Sequence, residues 1–288
     1  MSFQPFAGGS IYNVAIALGR QGIEVGYFGG ISEDFFGQIL LDGLKESNVN
    51  TEFVAITKNP STLAFVSIEN SQPRYAFFDN GSAGRMLSNE QLPILPQKVS
   101  ALHFGSFSLI NDPAASVYEY FATNNAKDRI ISLDPNIRPT LVSDRGLYLQ
   151  RLQRMVELAD IIKISDEDLN WMFPGGDDDI IAQNWIEQGA SLVIITRGAK
   201  GAMAYSANDK YFQPAIPTKV CDSVGAGDTF SAAILASLEK QNLLDKQKLA
   251  KISSEQIKQA LLLASRSAAI TISRAGANPP WKHELAQT

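Results

Sequence analysis

One cysteine and two histidines in 288 residues leave little room for several kinds of chemistry. A single cysteine, Cys221, closes no internal disulfide and builds no multi-cysteine metal site, which points to a reducing interior such as the cytoplasm. His103 and His283 stand far apart, a poor basis for histidine-ligated zinc or a histidine triad. Basic residues are in deficit as well: 25 Lys plus Arg against 30 Asp plus Glu give a net charge of -5. That balance carries no electrostatic footprint for a nucleic-acid backbone or an anionic membrane. No apolar run approaches the roughly 20 residues that span a bilayer, and Met1 to Phe6 lack the basic start and apolar stretch of a signal peptide. What is present, 45% hydrophobic and 19% charged residues, suffices for a large core and excludes disorder. Catalysis in such a chain rests on carboxylates, glycines and backbone dipoles.

Short β-branched runs alternate with longer amphipathic ones. Glu24–Phe28, Ala101–Phe104, Arg129–Leu133, Ile161–Ile164 and Leu192–Ile195 read as buried parallel strands. Asn13–Gln21, Phe36–Glu46, Ala114–Thr123, Tyr148–Ala159, Asp178–Gln188 and Thr229–Leu238 read as helices. The alternation predicts an α/β fold: a doubly wound, mostly parallel sheet with helices on both faces. From about Glu52 to Asp79 the rhythm changes to strand and turn, with Phe53–Ile56, Leu63–Ile68 and Tyr75–Phe78 separated by Lys58-Asn59-Pro60 and Asn70-Ser71-Gln72-Pro73. This predicts a small antiparallel sheet, either an edge extension or a lid over a ligand.

Two segments carry chemistry. In Asp222-Ser223-Val224-Gly225-Ala226-Gly227-Asp228-Thr229-Phe230, glycines at a helix start let backbone N–H groups converge where the helix dipole favours an anion. Asp228 beside such a site would repel phosphate unless its task is to take a proton from an attacking hydroxyl. A plain Gly-rich turn with a helix-start aspartate is the structural alternative. In Ala7-Gly8-Gly9-Ser10-Ile11-Tyr12-Asn13, two glycines permit close approach, and Asn13 either binds a polyhydroxylated ligand or simply caps a helix. Neither a dinucleotide fingerprint nor a P-loop motif occurs. Cys221, before the helix loop, reads as a small buried residue, Trp171 and Trp281 as packing residues, and His103 as the end of a strand facing the crevice.

Taken together, these segments resemble the two signatures of the ribokinase-like (PfkB) carbohydrate kinases, closest to the fructokinase branch. Four further stretches match in order: Ile31–Gly37, Ser132–Arg138, Lys163–Leu169 and Thr196–Gly201. The resemblance implies one ribokinase-like kinase domain over 1–288, with a lid made of about 52–80 plus residues 1–7. It implies phosphoryl transfer from ATP to a hydroxymethyl oxygen of a ketohexose, fructose first. Asp228 is then the base, and Gly225, Ala226 and Gly227 the anion hole, with Arg138 near the transferring phosphate. Gly8, Gly9, Asn13 and Phe77 would meet the sugar. Lys163, Ser165, Thr196, Gly198, Gly201, Gly225, Gly227 and Asn278 would border ATP, with Ala264–Asn278 wrapping the adenine. Mg²⁺ would arrive with ATP, near Asp168, and the Asp222 position holds a monovalent cation such as K⁺ in many members. Lid sheets in the family sometimes pair between subunits, so a homodimer is an expectation; nucleic acid and membrane are not expected partners.

Departures qualify the picture. Where many relatives carry Asn-x-x-Glu, this chain has Ser165 and Asp168. Where kinases of 2-keto-3-deoxygluconate carry Tyr-Arg in the lid, it reads Phe77-Phe78-Asp79-Asn80, which favours a neutral ketohexose over an acidic sugar or a nucleoside. Relatives place a first strand ahead of the Gly-Gly signature, whereas seven residues precede Gly8 here. The expectation is therefore a body without that strand, and an inactive sugar- or nucleotide-binding relative is the alternative from a different class.

Overall fold

The computed structural model describes residues 5–69 and 72–286. Residues 1–4 of the expected lid, and Asn70 and Ser71 of its expected turn, lie outside the described residues. In chain order come α1 (Ser10–Arg20), β1 (Gly30–Ser32), α2 (Phe35–Glu46), β2 (Ala55–Thr57), β3 (Leu63–Glu69) and β4 (Gln72–Phe78). There follow β5 (Ala101–Gly105), α3 (Ala114–Asn125), β6 (Ile130–Asp134), α4 (Arg145–Leu158), β7 (Ile161–Ser165), α5 (Asp166–Met172) and α6 (Asp178–Glu187). The chain then runs through β8 (Leu192–Thr196), β9 (Ala202–Tyr205), β10 (Lys210–Gln213), α7 (Ala226–Lys240), α8 (Lys246–Leu249), α9 (Ser254–Ile272) and α10 (Lys282–Leu285).

A six-stranded sheet of order β10-β9-β8-β7-β6-β5 forms the body. β5 to β8 are parallel, and β9 and β10 add on antiparallel. Side chains alternate across the parallel strands, as the pleat requires. Ile131, Leu133, Ile162, Ile164, Val193 and Ile195 pack under α3 to α6. Ile130, Ile161, Leu192 and Ile194 pack under α1, α7 and α9. Each of these fully buried side chains contributes about 1.5–3 kcal/mol, enough together to fix which residues of each strand face which layer. The β-branched content that marks these runs as strands thus also makes the two-sided core. α7 is buried along nearly its whole length, so small residues Ala232, Ala233 and Ala236 replace a polar outer face.

Three expectations change. Glu24–Phe28 is not a regular strand: Gly26 makes an isolated parallel bridge to Asn50, and among the described residues none pairs with the free edge of β5. Phe53–Ile56 does not join the antiparallel sheet; β2 pairs parallel with β1 instead. The antiparallel sheet is the two-stranded β3–β4 hairpin alone. Finally, Ala264 to Ile272 is not a loop but the second half of α9, packed on α7, with the turn of the expected adenine segment beyond it. Among the described residues no helix is long and apolar enough to cross a membrane.

Candidate active site

α1 and α7 meet at their N-termini, and both start in the same unusual way. Each is preceded by a glycine in the left-handed region, Gly9 with φ 124° and Gly225 with φ 78°, and neither has a side-chain cap. By contrast α2, α4, α5, α6, α8 and α9 are capped by Asp34, Asp144, Ser165, Asp177, Asp245 and Ser253. The first N–H groups of a helix have no partner within it. At α7 the Ala226 N–H bonds to Ser223 O at 3.3 Å and that of Thr229 to Gly225 O at 2.8 Å, which leaves those of Gly227 and Asp228 at the positive end of the dipole.

Asp228 stands in this first turn, 6% exposed. Its Oδ1 accepts from Ser10 Oγ at 2.6 Å and from Asn136 Nδ2 at 3.2 Å; its Oδ2 accepts from Asn13 Nδ2 at 2.8 Å. Asn13 therefore does not cap α1, which begins three residues earlier; its side chain is a ligand of the carboxylate. Asn136 also donates to Ser10 Oγ at 2.7 Å and takes a bond from Arg138 Nη1 at 2.6 Å. Arg138 is exposed, so a guanidinium on the open side reaches the base through one amide. Asn136 sits at φ 38°, a conformation asparagine tolerates better than most residues. Burial raises the Asp228 carboxyl above its ordinary value, and the Ser10 and Asn13 donors pull it back. A buried carboxylate with raised basicity, next to uncapped helix N–H groups, can take a proton while the neighbouring dipole receives negative charge.

The other expected ligand residues divide. Gly8 and Gly9 are open: a Cβ at Gly8 would meet nothing within 4 Å, and one at Gly9 only Tyr12 at 3.8 Å. Phe77 lies on β4, on the face opposite the Phe65–Phe78 ring contact. Gly198 is exposed at the turn after β8, and Thr196 closes that strand with its hydroxyl on Ile164 O. Gly225 abuts Ala277 in the turn after α9, where its Cβ would lie 2.7 Å from that of Ala277.

Four of the residues expected beside ATP are engaged within the protein itself. Lys163 is buried and its ammonium donates to Asp134 at 3.0 Å, so it stands beneath Gly227 rather than on an open nucleotide surface. Ser165 spends its hydroxyl capping α5 at the N–H of Asp168. Gly201 is buried where any Cβ would lie 2.2 Å from Gln213 O, a packing requirement. The Asn278 side chain accepts from Arg20 at 2.7 Å. Asp222 accepts from Val224 N–H at 3.0 Å and Gly276 N–H at 2.9 Å, which ties the loop before α7 to the turn after α9. Burial raises the Asp168 carboxyl. Cys221 is exposed, contrary to the buried reading. Trp171 and Trp281 do pack, under Arg145 and Arg20. Ser10 and Asn136 complete the cage around Asp228 without a role that the sequence assigns; Ser10 beside Gly9 and Asn136 after Pro135 at the end of β6 are their only local signals.

The profile of the pfkB family carbohydrate kinases matches residues 1–284. The chain is 48% identical over 256 residues to a fructokinase of Rhizobium leguminosarum bv. trifolii, covering 89% of this chain and 78% of that one. The structure of fructokinase with bound ATP from Xylella fastidiosa superposes with a TM-score of 0.90 at 26% identity, over 99% of this chain and 92% of that one. Fructokinase from Vibrio cholerae O395, in fructose, ADP and calcium ion bound form, gives a TM-score of 0.84 at 25% identity, over 97% and 90%. With the uncapped α7 start, the caged Asp228 and a match along nearly the whole chain, the protein belongs to the pfkB family of carbohydrate kinases.

Proposed function

We propose that this chain is an ATP-dependent fructokinase in which residues 1–288 act as one kinase domain, with 52–80 as the lid. The observation that carries the reading is the caged, buried Asp228 in the first turn of an uncapped helix. Its carboxylate takes the proton of a sugar hydroxymethyl group, the freed oxygen forms a bond to the γ-phosphorus, and the bond to ADP breaks. Of the expected anion hole, Gly225 and Gly227 offer N–H groups to the phosphoryl oxygens together with Asp228, the Ala226 N–H being held by Ser223 O at 3.3 Å, and Arg138 lies on the open side. Among the described residues no three His, Cys, Asp or Glu gather as a metal cage. Asp168 and Asp222 therefore fit a direct Mg²⁺ cage poorly, and Mg²⁺ would be held through phosphates and water. When bound it neutralises phosphate charge. Asp222, whose oxygens already join two loops, is the position for K⁺. The enzyme works in the cytoplasm, and the exposed Phe65–Phe78 face of β3–β4 supports a homodimer.

For the acceptor, Asp79 stands where an acidic sugar would need a cation, held by hydroxyls of Thr62 at 3.0 Å and Ser82 at 2.9 Å. Arg85 donates to Asp112 O at 3.1 Å, and the Arg74 side chain lies outside the described ones. A coupled assay across sugars is expected to give fructose a kcat/KM at least about tenfold above 2-keto-3-deoxygluconate or a nucleoside. Preference for either of those would reassign the acceptor; ATP binding without turnover of any sugar would point to the inactive relative.

Asp222→Ala removes the acceptor of two N–H groups; water can replace it at the exposed Val224 N–H, while the half-buried Gly276 N–H left unpaired costs about 1 kcal/mol. The expected result is a several-fold rise in KM for ATP with KM for the sugar unchanged. Steady-state kinetics with each substrate varied in turn checks it, and an equal rise for both would contradict a role confined to the nucleotide loop.

A further inference from the structure

The layer beneath the glycine cradle holds charge that proton transfer to Asp228 leaves unused. β6 and β7 are in register at Leu133–Ile162, so Asp134 and Lys163 follow side by side at the strand ends. Alternation turns both toward α1 and α7. Lys163 Nζ donates to Asp134 Oδ2 at 3.0 Å, with the side chains 8% and 1% exposed. Ser231, three residues along α7 from Asp228, donates to the same oxygen at 3.1 Å. Asp134 Oδ1 is buried without a partner among the described residues. On its other side the ammonium lies 3.0 Å from where a Cβ at Gly227 would stand. A buried ion pair of this kind adds little net stability, because desolvation of both charges offsets their attraction. Stability does not account for its position, wedged between the sheet and the first turn of α7.

We propose that Asp134 and Lys163 are positioning residues for phosphoryl transfer: Lys163 puts positive charge behind the Gly227 cradle, and Asp134 holds it there while strengthening Asp228 as a base. The inference rests on Asp228 being the base. Around Asp228, α1 contributes only the uncharged Ser10 and Asn13, and the loop after β6 contributes Asn136 with exposed Arg138 behind it. From β5, His103 faces the same layer with Nδ1 2.9 Å from Ser132 Oγ; burial pushes it down to about 4, so it is neutral near pH 7. On α5, Asp168 is subject to the same two charges. Beside burial, which raises the Asp228 carboxyl most, Asp134 raises it and Lys163 lowers it.

Three variants test the pair: Asp134→Asn, Lys163→Met and the double replacement. Each single change leaves a buried group without its partner and lowers the thermal unfolding midpoint, whereas the double change restores that midpoint. The double variant nevertheless keeps a kcat roughly tenfold or more below wild type, with KM for the sugar unchanged. A double variant with wild-type kcat overturns the proposal, since the pair would then be structural only. A second readout needs no turnover. In a carboxyl-carbon NMR titration, Asp228 should titrate at lower pH in Asp134→Asn, because an anionic neighbour is gone while Lys163 keeps its charge. An unmoved midpoint in that variant also overturns it. Asp228→Asn run in parallel separates the two readings: retained turnover there removes the base assignment, while lost turnover beside a fully active double variant removes only the pair.

Discussion

Asp228→Asn is expected to lower kcat with fructose by about two to four orders of magnitude, with KM for ATP unchanged. The substitution keeps the shape of the side chain and most of its cage while deleting the proton acceptor. Ser10, Asn13 and Asn136 all donate to this carboxylate, so the introduced amide would set its own N–H₂ group against at least one of these donors. That local conflict is small beside the loss of the base, and circular dichroism should show the same fold. A kcat within tenfold of wild type would mean that the sugar hydroxyl loses its proton elsewhere. The pH dependence follows from the same environment. Burial raises the Asp228 carboxyl, and a base must be ionised to act. Activity is therefore full above the raised value and falls as pH drops through it, so the acid limb of kcat/KM lies above the ordinary aspartate value of about 3.9. A limb at or below that value would show that the cage, not burial, dominates.

Much of this architecture was legible because it is local. The β-branched runs at 130–134, 161–165 and 192–196 and the helices between them are marked by their own composition, and the parallel order follows from the alternation. β9 and β10 were not, since Ala202–Tyr205 reads Ala-Met-Ala-Tyr with no β-branched residue and β10 is half exposed; only pairing, of β9 to β8 and of β10 to β9, makes them strands. Glu24–Phe28 has the composition of a strand, but a strand also needs a neighbour on the sheet, which no local pattern reports. The site divides in the same way. Asp228 and its glycines announce themselves in nine consecutive residues, whereas the Ser10, Asn13 and Asn136 donors converge from 218, 215 and 92 positions away. Lys163 shows the limit most plainly. In sequence it belongs to a nucleotide-side motif, and only the β6–β7 register reveals that it turns inward to Asp134.

Gly225→Ala should be the most damaging change outside the base itself, because two independent constraints meet at that residue. Its φ of 78° lies where an alanine costs about 1–2 kcal/mol, and a Cβ there would stand 2.7 Å from Ala277 Cβ and 2.9 Å from Ala277 Cα. Both atoms are fixed to the backbone of Ala277, so no side-chain rotation relieves the collision. Either the turn after α9 moves away, or the start of α7 rotates and carries the Gly227 and Asp228 N–H groups with it. Both responses loosen the grip on the triphosphate, and the second also misdirects donors whose individual loss costs about a hundred- to a thousandfold in kcat. The expected outcome is a raised KM for ATP together with a kcat reduced by that order, while KM for the sugar stays near wild type because Gly9 and Asn13 are untouched. Gly276→Ala supplies the comparison: it sits at φ 68° in the same turn, yet a Cβ there meets nothing within 4 Å. It carries the backbone strain without the collision, so its kcat should fall by no more than about tenfold. Equal losses in the two variants would mean that strain alone is responsible and that the Gly225–Ala277 contact does not hold the nucleotide loop against the cradle.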